Sequence, residues 1–209
     1  MENKNLPKII SLLKKTYPGA DCSLDHKSPF ELLTATILSA QCTDERVNMV
    51  TPPLFKKYPG PAEMGRAPLA DLEALVHSTG FYKNKALSLK EASKAIMQDF
   101  GGKVPKTMEQ LLTLRGVARK TANVVLGSAY GIAAGIVVDT HVKRVAFRLG
   151  LTAETDPGKI EQGLMKAIPK EDWIWFAHAL VLHGRAVCQA RTPQCGECPL
   201  NRICPKKGI

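Results

Sequence analysis

The segment Leu112–His141 reads LTLRGVARKTANVVLGSAYGIAAGIVVDTH. It predicts a short helix, a tight turn at Gly116-Val117, and a second helix with Lys120 in its first turn. Asp139 then stands at the start of another helix. A turn that opens a helix presents unpaired backbone N–H groups and a partial positive charge, which suit a phosphate. The segment therefore predicts a phosphate-binding helical hairpin.

Lys120 and Asp139 each have two interpretations. The positive field at the helix start and partial burial would both favour the neutral lysine amine, which is a nucleophile. The simpler interpretation of Lys120 is a surface lysine that binds phosphate. For Asp139 the simpler interpretation is a helix N-cap before Thr140-His141, and a capping carboxylate still has a second oxygen for chemistry.

Helical patterns dominate the remaining chain. Ser28-Pro29-Phe30-Glu31 is a capping box before an apolar run, and a helix from Thr43 is expected to end near Pro52-Pro53. Only Gly135–Val138 has the composition of a strand, and it is too short to build a sheet. The predicted class is all-α. The other predicted helical segments are 68–80, 83–100, 107–114, 118–130, 139–149, 157–168 and 171–188.

The charge balance points to a polyanionic partner. The 209 residues include 29 Lys and Arg against 19 Asp and Glu, for a formal net charge of +10. These basic residues are spread over the helical segments, so they are expected on folded surfaces, and nucleic acid is the favoured partner. No apolar run reaches the roughly 18 residues of a membrane span, and no signal peptide is evident. The expected location is cytoplasmic, without membrane contact.

Four cysteines near the C-terminus predict a metal centre. Cys188, Cys195, Cys198 and Cys204 are separated by six, two and five residues. Zinc is one candidate, but structural zinc sites usually use two Cys-x-x-Cys pairs, and only one is present. The wide outer loops favour a 4Fe–4S cluster, with Arg191 and Arg202 between the ligands to contact a phosphate backbone. Cys22 and Cys42 are interpreted as small buried hydrophobes.

LRGVARKTANVV, VVDTHVKRV, LVLHGR and the cysteine spacing together resemble the endonuclease III family of the helix-hairpin-helix superfamily. The likeness extends from about Ile9 to Cys204. It implies two helical domains with a DNA-binding cleft between them. One is a six-helix barrel at 22–133 containing the helix-hairpin-helix at about 107–130. The other joins 1–21 to 134–209 and carries a 4Fe-4S cluster in the loop 188–204.

The resemblance also implies an activity and a site. The family consists of base-excision-repair DNA glycosylases that remove oxidised pyrimidines and act as AP lyases. Lys120 matches the catalytic lysine, which forms a Schiff base before β-elimination, and Asp139 matches the catalytic aspartate. The implied partner is double-stranded DNA with damaged pyrimidines or abasic sites, bound by a monomer at the nucleoid. The DNA-binding residues expected here are Gln41, Phe81, Gly116, Val117, Ala118, Arg119, His141 and Arg191.

In the family, residues from three loops fill the gap left by an extruded base, and the matching positions are Gln41, Phe81 and His141. From the residues alone, Phe81 is interpreted as a core aromatic and Gln41 as a surface residue at a helix end. His141 has the alternative of a satisfied histidine between domains.

Three positions depart from the family pattern. Arg115 stands where most relatives have proline, and Ala118 replaces a glycine in the hairpin. Many relatives also have leucine at the position of Phe81. These differences predict altered backbone affinity and lesion preference with intact chemistry.

Two other functions remain open from the sequence. A monofunctional glycosylase of the same superfamily would act on mismatched thymine or adenine, but direct attack by water needs no amine at Lys120. A non-enzymatic DNA-binding module, held together by the cluster, would use the hairpin only to bind the DNA backbone. In that case Lys120 and Asp139 would contribute modest affinity and no chemistry.

Overall fold

The computed structural model describes residues 3–209, and in that range every regular element is helical. The all-α prediction is confirmed, and Gly135–Val138 forms no strand. A π-helical turn at Val125–Ala129 and 3-10 turns at His77–Thr79 and Lys170–Asp172 complete the set. The α-helices are α1 (Leu6–Thr16), α2 (Pro29–Leu38), α3 (Asp44–Lys57), α4 (Pro61–Arg66), α5 (Leu69–Val76), α6 (Tyr82–Asp99), α7 (Met108–Leu112), α8 (Arg119–Val124), α9 (Thr140–Arg148), α10 (Pro157–Ala167) and α11 (Trp173–Ala186).

These helices form two compact units. The hairpin unit is Cys22–Ile132 and contains the seven helices α2–α8. The cysteine unit joins the N-terminal segment through Asp21 to Ala133–Ile209, and contains α1 and α9–α11. Within residues 3–209, no helix has both the length and the apolar character needed to cross a membrane.

Helix α2 is the central helix of the hairpin unit. Ser28 caps it, with its Oγ accepting from the backbone N–H of Glu31 at 3.2 Å. The Glu31 carboxylate accepts a hydrogen bond from the backbone N–H of Lys27 at 2.6 Å. In a standard capping box this carboxylate would bond the N–H of the cap residue Ser28, so the observed bond lies one residue earlier. All residues from Phe30 to Leu38 except Glu31 are buried, and α2 packs against α3, α6 and α8.

Helix α3 corrects one prediction. The helix was expected to end near Pro52-Pro53, but it runs through both prolines to Lys57. The two prolines are exposed, whereas Val50 and Leu54 on either side of them are buried. The apolar face stays buried on both sides of the proline pair. We infer that this burial stabilises the helix by more than the loss of the backbone hydrogen bonds that the prolines cannot donate. Helix α4, which follows Gly60, was not predicted.

The cysteine unit has its own apolar core. Helix α1 contributes Ile9 and Leu13, α9 contributes Val142 and Val145, and α11 contributes Phe176, all fully buried. Cys188, Cys198 and Cys204 pack against this core. The C-terminal segment is therefore anchored to a helical body even though it contains no regular element of its own after α11.

The turn of the predicted hairpin requires glycine at position 116. Gly116 has φ +80°, in the left-handed region that side chains rarely adopt. A Cβ atom there would stand 2.8 Å from Cβ of Ser88 on α6. Val117 is buried beside it and donates its N–H to the Leu114 carbonyl at 3.1 Å. This close approach fixes the turn against α6 and so fixes where α8 begins.

Replacing Gly116 with alanine should therefore destabilise the hairpin unit for two reasons. The left-handed backbone costs about 1–2 kcal/mol and the clash with Ser88 about 1–3 kcal/mol more. Gly131 is the matched control, because its φ is +66° but no atom lies within 4 Å of an added Cβ. In urea unfolding, Gly116→Ala should lose about 2–5 kcal/mol and Gly131→Ala about 1–2 kcal/mol. Equal losses would show that the contact with Ser88 has no energetic weight.

Candidate active site and iron–sulfur centre

Lys120 lies in the first turn of α8 and is exposed. The partial burial predicted for it is therefore wrong for the protein without DNA, since nothing in the hairpin unit covers this residue. Ala118 is the N-cap and makes no side-chain capping bond, and it is exposed together with Arg119. The first turn of α8 thus presents two cationic side chains and the start of a helix to solvent, which suits a phosphate backbone.

Asp139 is the N-cap of α9, as the simpler interpretation of the sequence predicted. Its Oδ1 accepts from the N–H of Val142 at 2.8 Å, and the residue is half-buried. The carboxylate also acts on two imidazoles. Burial lowers the pKa of His141 and of His178, and the negative charge of Asp139 opposes that effect in both cases. A capping carboxylate therefore stands in a partly desolvated setting with histidines within electrostatic reach.

His141 is satisfied at one ring nitrogen. Nη2 of Arg144 lies 3.2 Å from Nδ1 of His141. Because a guanidinium only donates, Nδ1 accepts, and the neutral ring has its proton on Nε2. Arg144 also donates to the carbonyl of Gly184 at 2.9 Å. His141 is thus hydrogen-bonded to Arg144 within the cysteine unit.

Gln41, Phe81 and Gly116 meet at one recess in the hairpin unit. This recess has a volume of about 270 Å³, and its other lining residues are Ile37, Ala40, Asn84, Lys85 and Ser88. Phe81 is 66 % exposed, so the prediction of a core aromatic is wrong. Gln41 is exposed, as predicted.

The backbone explains why both side chains point outward. Gln41 has φ +53° and Phe81 has φ +49°, and Phe81 directly follows Gly80 at φ +71°. A bulky residue in the left-handed region costs on the order of 1 kcal/mol or more and is often found at a functional site. Two such residues beside one recess mark a surface shaped for a ligand rather than for packing.

The four C-terminal cysteines line a single cavity. All four are half-buried and none forms a disulfide. Within residues 3–209, no three His, Cys, Asp or Glu side chains converge closely enough to hold one metal ion. Four thiols around one cavity supply the sulfur ligands that either a zinc ion or an iron–sulfur cluster takes.

Arg148 of α9 holds the cysteine loop, and no sequence motif predicted this role. It is 6 % exposed and donates to the carbonyls of Gln189 at 2.7 Å and Ala190 at 2.9 Å. Nη1 also lies 3.4 Å from Sγ of Cys188. A buried guanidinium needs such partners, and thiolates bound to iron would add compensating negative charge. One sequence signal could have identified Arg148. This arginine lies next to Leu149 and three residues after Val145, inside the apolar face of α9.

His183 is the second missed residue around the cysteines. It is 1 % exposed, and burial lowers its pKa to about 4, so the ring is neutral near pH 7. Nδ1 lies 3.1 Å from the hydroxyl of Tyr17, and Nε2 lies 3.5 Å from Sγ of Cys198. If Tyr17 donates to Nδ1, then Nε2–H points at the sulfur. Such a donor would orient and stabilise a thiolate ligand.

Arg191 and Arg202 lie between the cysteine ligands in sequence and are exposed. Their contact with phosphate stays a prediction.

Two protein-family models match this chain. Residues 34–170 match the HhH-GPD superfamily of base excision DNA repair proteins. Residues 188–204 match the iron-sulfur binding domain of endonuclease III. The chain belongs to the endonuclease III family. The zinc alternative is thereby set aside, and the four cysteines are the ligands of a 4Fe-4S cluster.

Individual relatives match over nearly the whole length. The endonuclease III of Synechocystis is 58 % identical over 94 % of this chain and 90 % of its own, and that of Bacillus subtilis is 47 % identical over 98 % of both. A solved structure described as a trapped endonuclease III–DNA covalent intermediate has a TM-score of 0.93 at 42 % identity, over 99 % of this chain and 97 % of that one. The enzyme is a DNA glycosylase and AP lyase of base excision repair that acts on oxidised pyrimidines.

Proposed function

We propose that Lys120 is the nucleophile of both reactions. Its amine attacks C1′ of the damaged nucleotide, the bond from C1′ to the base breaks, and the base leaves with a proton. The lone pair of the amine then forms the C=N bond as the C1′–O4′ bond breaks and O4′ takes up a proton. The protonated imine acidifies a 2′ hydrogen, and loss of that proton expels the 3′ phosphate by β-elimination. The observation that carries this proposal is the position of Lys120, exposed in the first turn of α8 directly after the Gly116 turn.

DNA itself would complete the environment of the amine. Lys120 is exposed in the free protein. A bound duplex with an extruded nucleotide would displace water from it, and a desolvated ammonium is disfavoured relative to the neutral amine. The structure of a relative that is described as a trapped endonuclease III–DNA covalent intermediate supports a covalent bond between enzyme and DNA.

Asp139 is proposed to stabilise positive charge on the sugar and to accept the proton released during imine formation. Oδ1 is engaged with Val142, which leaves Oδ2 of the same carboxylate for this task. The half-buried setting supports the role, because a carboxylate acts more strongly on nearby charge where water is partly excluded.

The remaining predicted residues are proposed to bind and distort DNA. Phe81 would stack in the gap left by the extruded nucleotide, and Gln41 would bond its orphaned partner base. His141 Nε2–H and Arg191 would add contacts to the strand. The hairpin residues Gly116, Val117, Ala118 and Arg119 would grip the backbone phosphate. The substrate is then double-stranded DNA with damaged pyrimidines or abasic sites, bound by one monomer in the cytoplasm at the nucleoid.

Substitution of Lys120 tests the proposal. Incubation with a thymine-glycol or abasic duplex followed by borohydride should give a covalent complex with the wild type and none with Lys120→Gln, because only a primary amine forms the reducible imine. Lys56→Gln is the control, since it removes the same charge from an exposed position on α3. Equal trapping by Lys120→Gln would refute the assignment. Absence of trapping even with the wild type would instead favour a monofunctional glycosylase or a binding module.

The Asp139→Asn variant separates the cap from the chemistry. Asparagine caps helices as well as aspartate, so the free energy of unfolding should change by less than about 0.5 kcal/mol. Single-turnover base excision should fall by about 10²–10⁴-fold, the range for loss of a group that moves a proton. If Asp139→Asn excises the base at the wild-type rate, Asp139 acts only as the cap of α9 and has no role in the chemistry.

A further inference from the structure

Lys85 is a buried lysine that the proposed mechanism does not use. It stands in the first turn of α6 and is 5 % exposed. Its Nζ donates to the carbonyl of Leu38 at 2.7 Å and to the carbonyl of Thr79 at 2.7 Å. Burial lowers the pKa of Lys85, with Cys42 opposing the effect. A buried ammonium is costly in a protein interior, so its two short bonds to carbonyls are what hold it there.

The two acceptors belong to the two segments that face the recess. Leu38 ends α2, three residues before Gln41, and Thr79 ends a 3-10 turn, two residues before Phe81. Both carbonyls thus stand where a helical segment ends and a left-handed residue follows. A cation at such an end also interacts favourably with the helix dipole. One amine joins the segments that carry the two predicted gap-filling side chains.

We propose that Lys85 is a positioning residue that fixes the spacing between the Gln41 and Phe81 segments for base extrusion. This inference rests on the proposed function, in which both side chains fill the gap in the duplex. Lys85 contacts neither DNA nor the reacting atoms in this account. It acts by holding two backbone segments at one distance, and small displacements of positioning groups are known to have large kinetic effects.

The two activities of the enzyme depend differently on that spacing. Excision of a damaged base requires a nucleotide to leave the stack and the gap to be held open. Cleavage at a preformed abasic site starts without a base in the stack, so the gap-filling residues contribute less. Loss of Lys85 should therefore slow base excision more than it slows cleavage of an abasic strand. A general loss of folded protein would lower both rates by the same factor.

The experiment compares Lys85→Met with Lys90→Met under single-turnover conditions. Lys90 lies on the same helix, and its Nζ also donates to a carbonyl, that of Ala67 at 2.6 Å, outside the recess. For each variant, the rate on a thymine-glycol duplex is divided by the rate on an abasic duplex. That ratio should fall at least about tenfold in Lys85→Met and stay within about twofold of wild type in Lys90→Met. An unchanged ratio in Lys85→Met would overturn the proposal, as would an equal fall in Lys90→Met.

Lys85→Arg keeps the test decisive if the methionine variant does not fold. It retains the charge, but a planar guanidinium is larger than an ammonium and presents its donors in a fixed fork, so it cannot bond both carbonyls at the spacing that Nζ sets. The ratio should fall by at least about threefold, and a wild-type ratio would contradict the inference. Fluorescence of 2-aminopurine opposite the lesion gives an independent signal, which should show less unstacking in the Lys85 variants than in Lys90→Met. If the wild type itself cleaves neither duplex, the proposed function fails rather than this inference.

Discussion

The close approach of the Gly116 backbone to Ser88 is the contact on which the hairpin unit depends. There is room for a hydrogen but none for a side chain, so the turn lies directly against α6. That contact places the start of α8, and Lys120 lies in its first turn. The same helix α6 is capped by Phe81 and carries Lys85. One helix therefore organises the turn, the exposed aromatic and the amine that joins two neighbouring segments.

The cysteine unit differs from the hairpin unit because it must hold a cofactor on a segment without regular secondary structure. Its cavity is lined by four thiols and flanked by the buried cation Arg148 and the neutral imidazole of His183. Cys188, Cys195, Cys198 and Cys204 would hold the 4Fe-4S cluster, and their four sulfur ligands would cross-link the segment that follows α11. Arg148 and His183 hold the carbonyls and a sulfur of that segment from α9 and α11. The loop's exposed arginines are thereby attached to a rigid base.

The features predicted from sequence are those that neighbouring residues determine. Ser28, Thr43, Thr107 and Asp139 cap their helices within three residues, and Gly116 occupies the left-handed turn that the hairpin pattern requires. The wrong predictions are those in which residues distant in sequence decide whether a side chain is buried or a helix continues. Phe81 follows a glycine and points to solvent although it is aromatic, and α3 continues through two prolines because its buried face does.

The missed site residues share the same cause. Arg148 meets its acceptors about 40 residues later in the chain, and Lys85 bonds a carbonyl 47 residues earlier. No local pattern shows such pairing. The only sequence signal is a charged residue at a position where helical spacing demands an apolar one.

Mapping the covalent bond would test the account most directly. The complex of wild-type enzyme with a thymine-glycol duplex is reduced with borohydride, digested with nuclease and protease, and sequenced by mass spectrometry. The account predicts a deoxyribose-derived adduct on the side-chain nitrogen of Lys120. An adduct confined to the N-terminal amine or to another lysine would contradict it, because the nucleophile would then lie outside the first turn of α8.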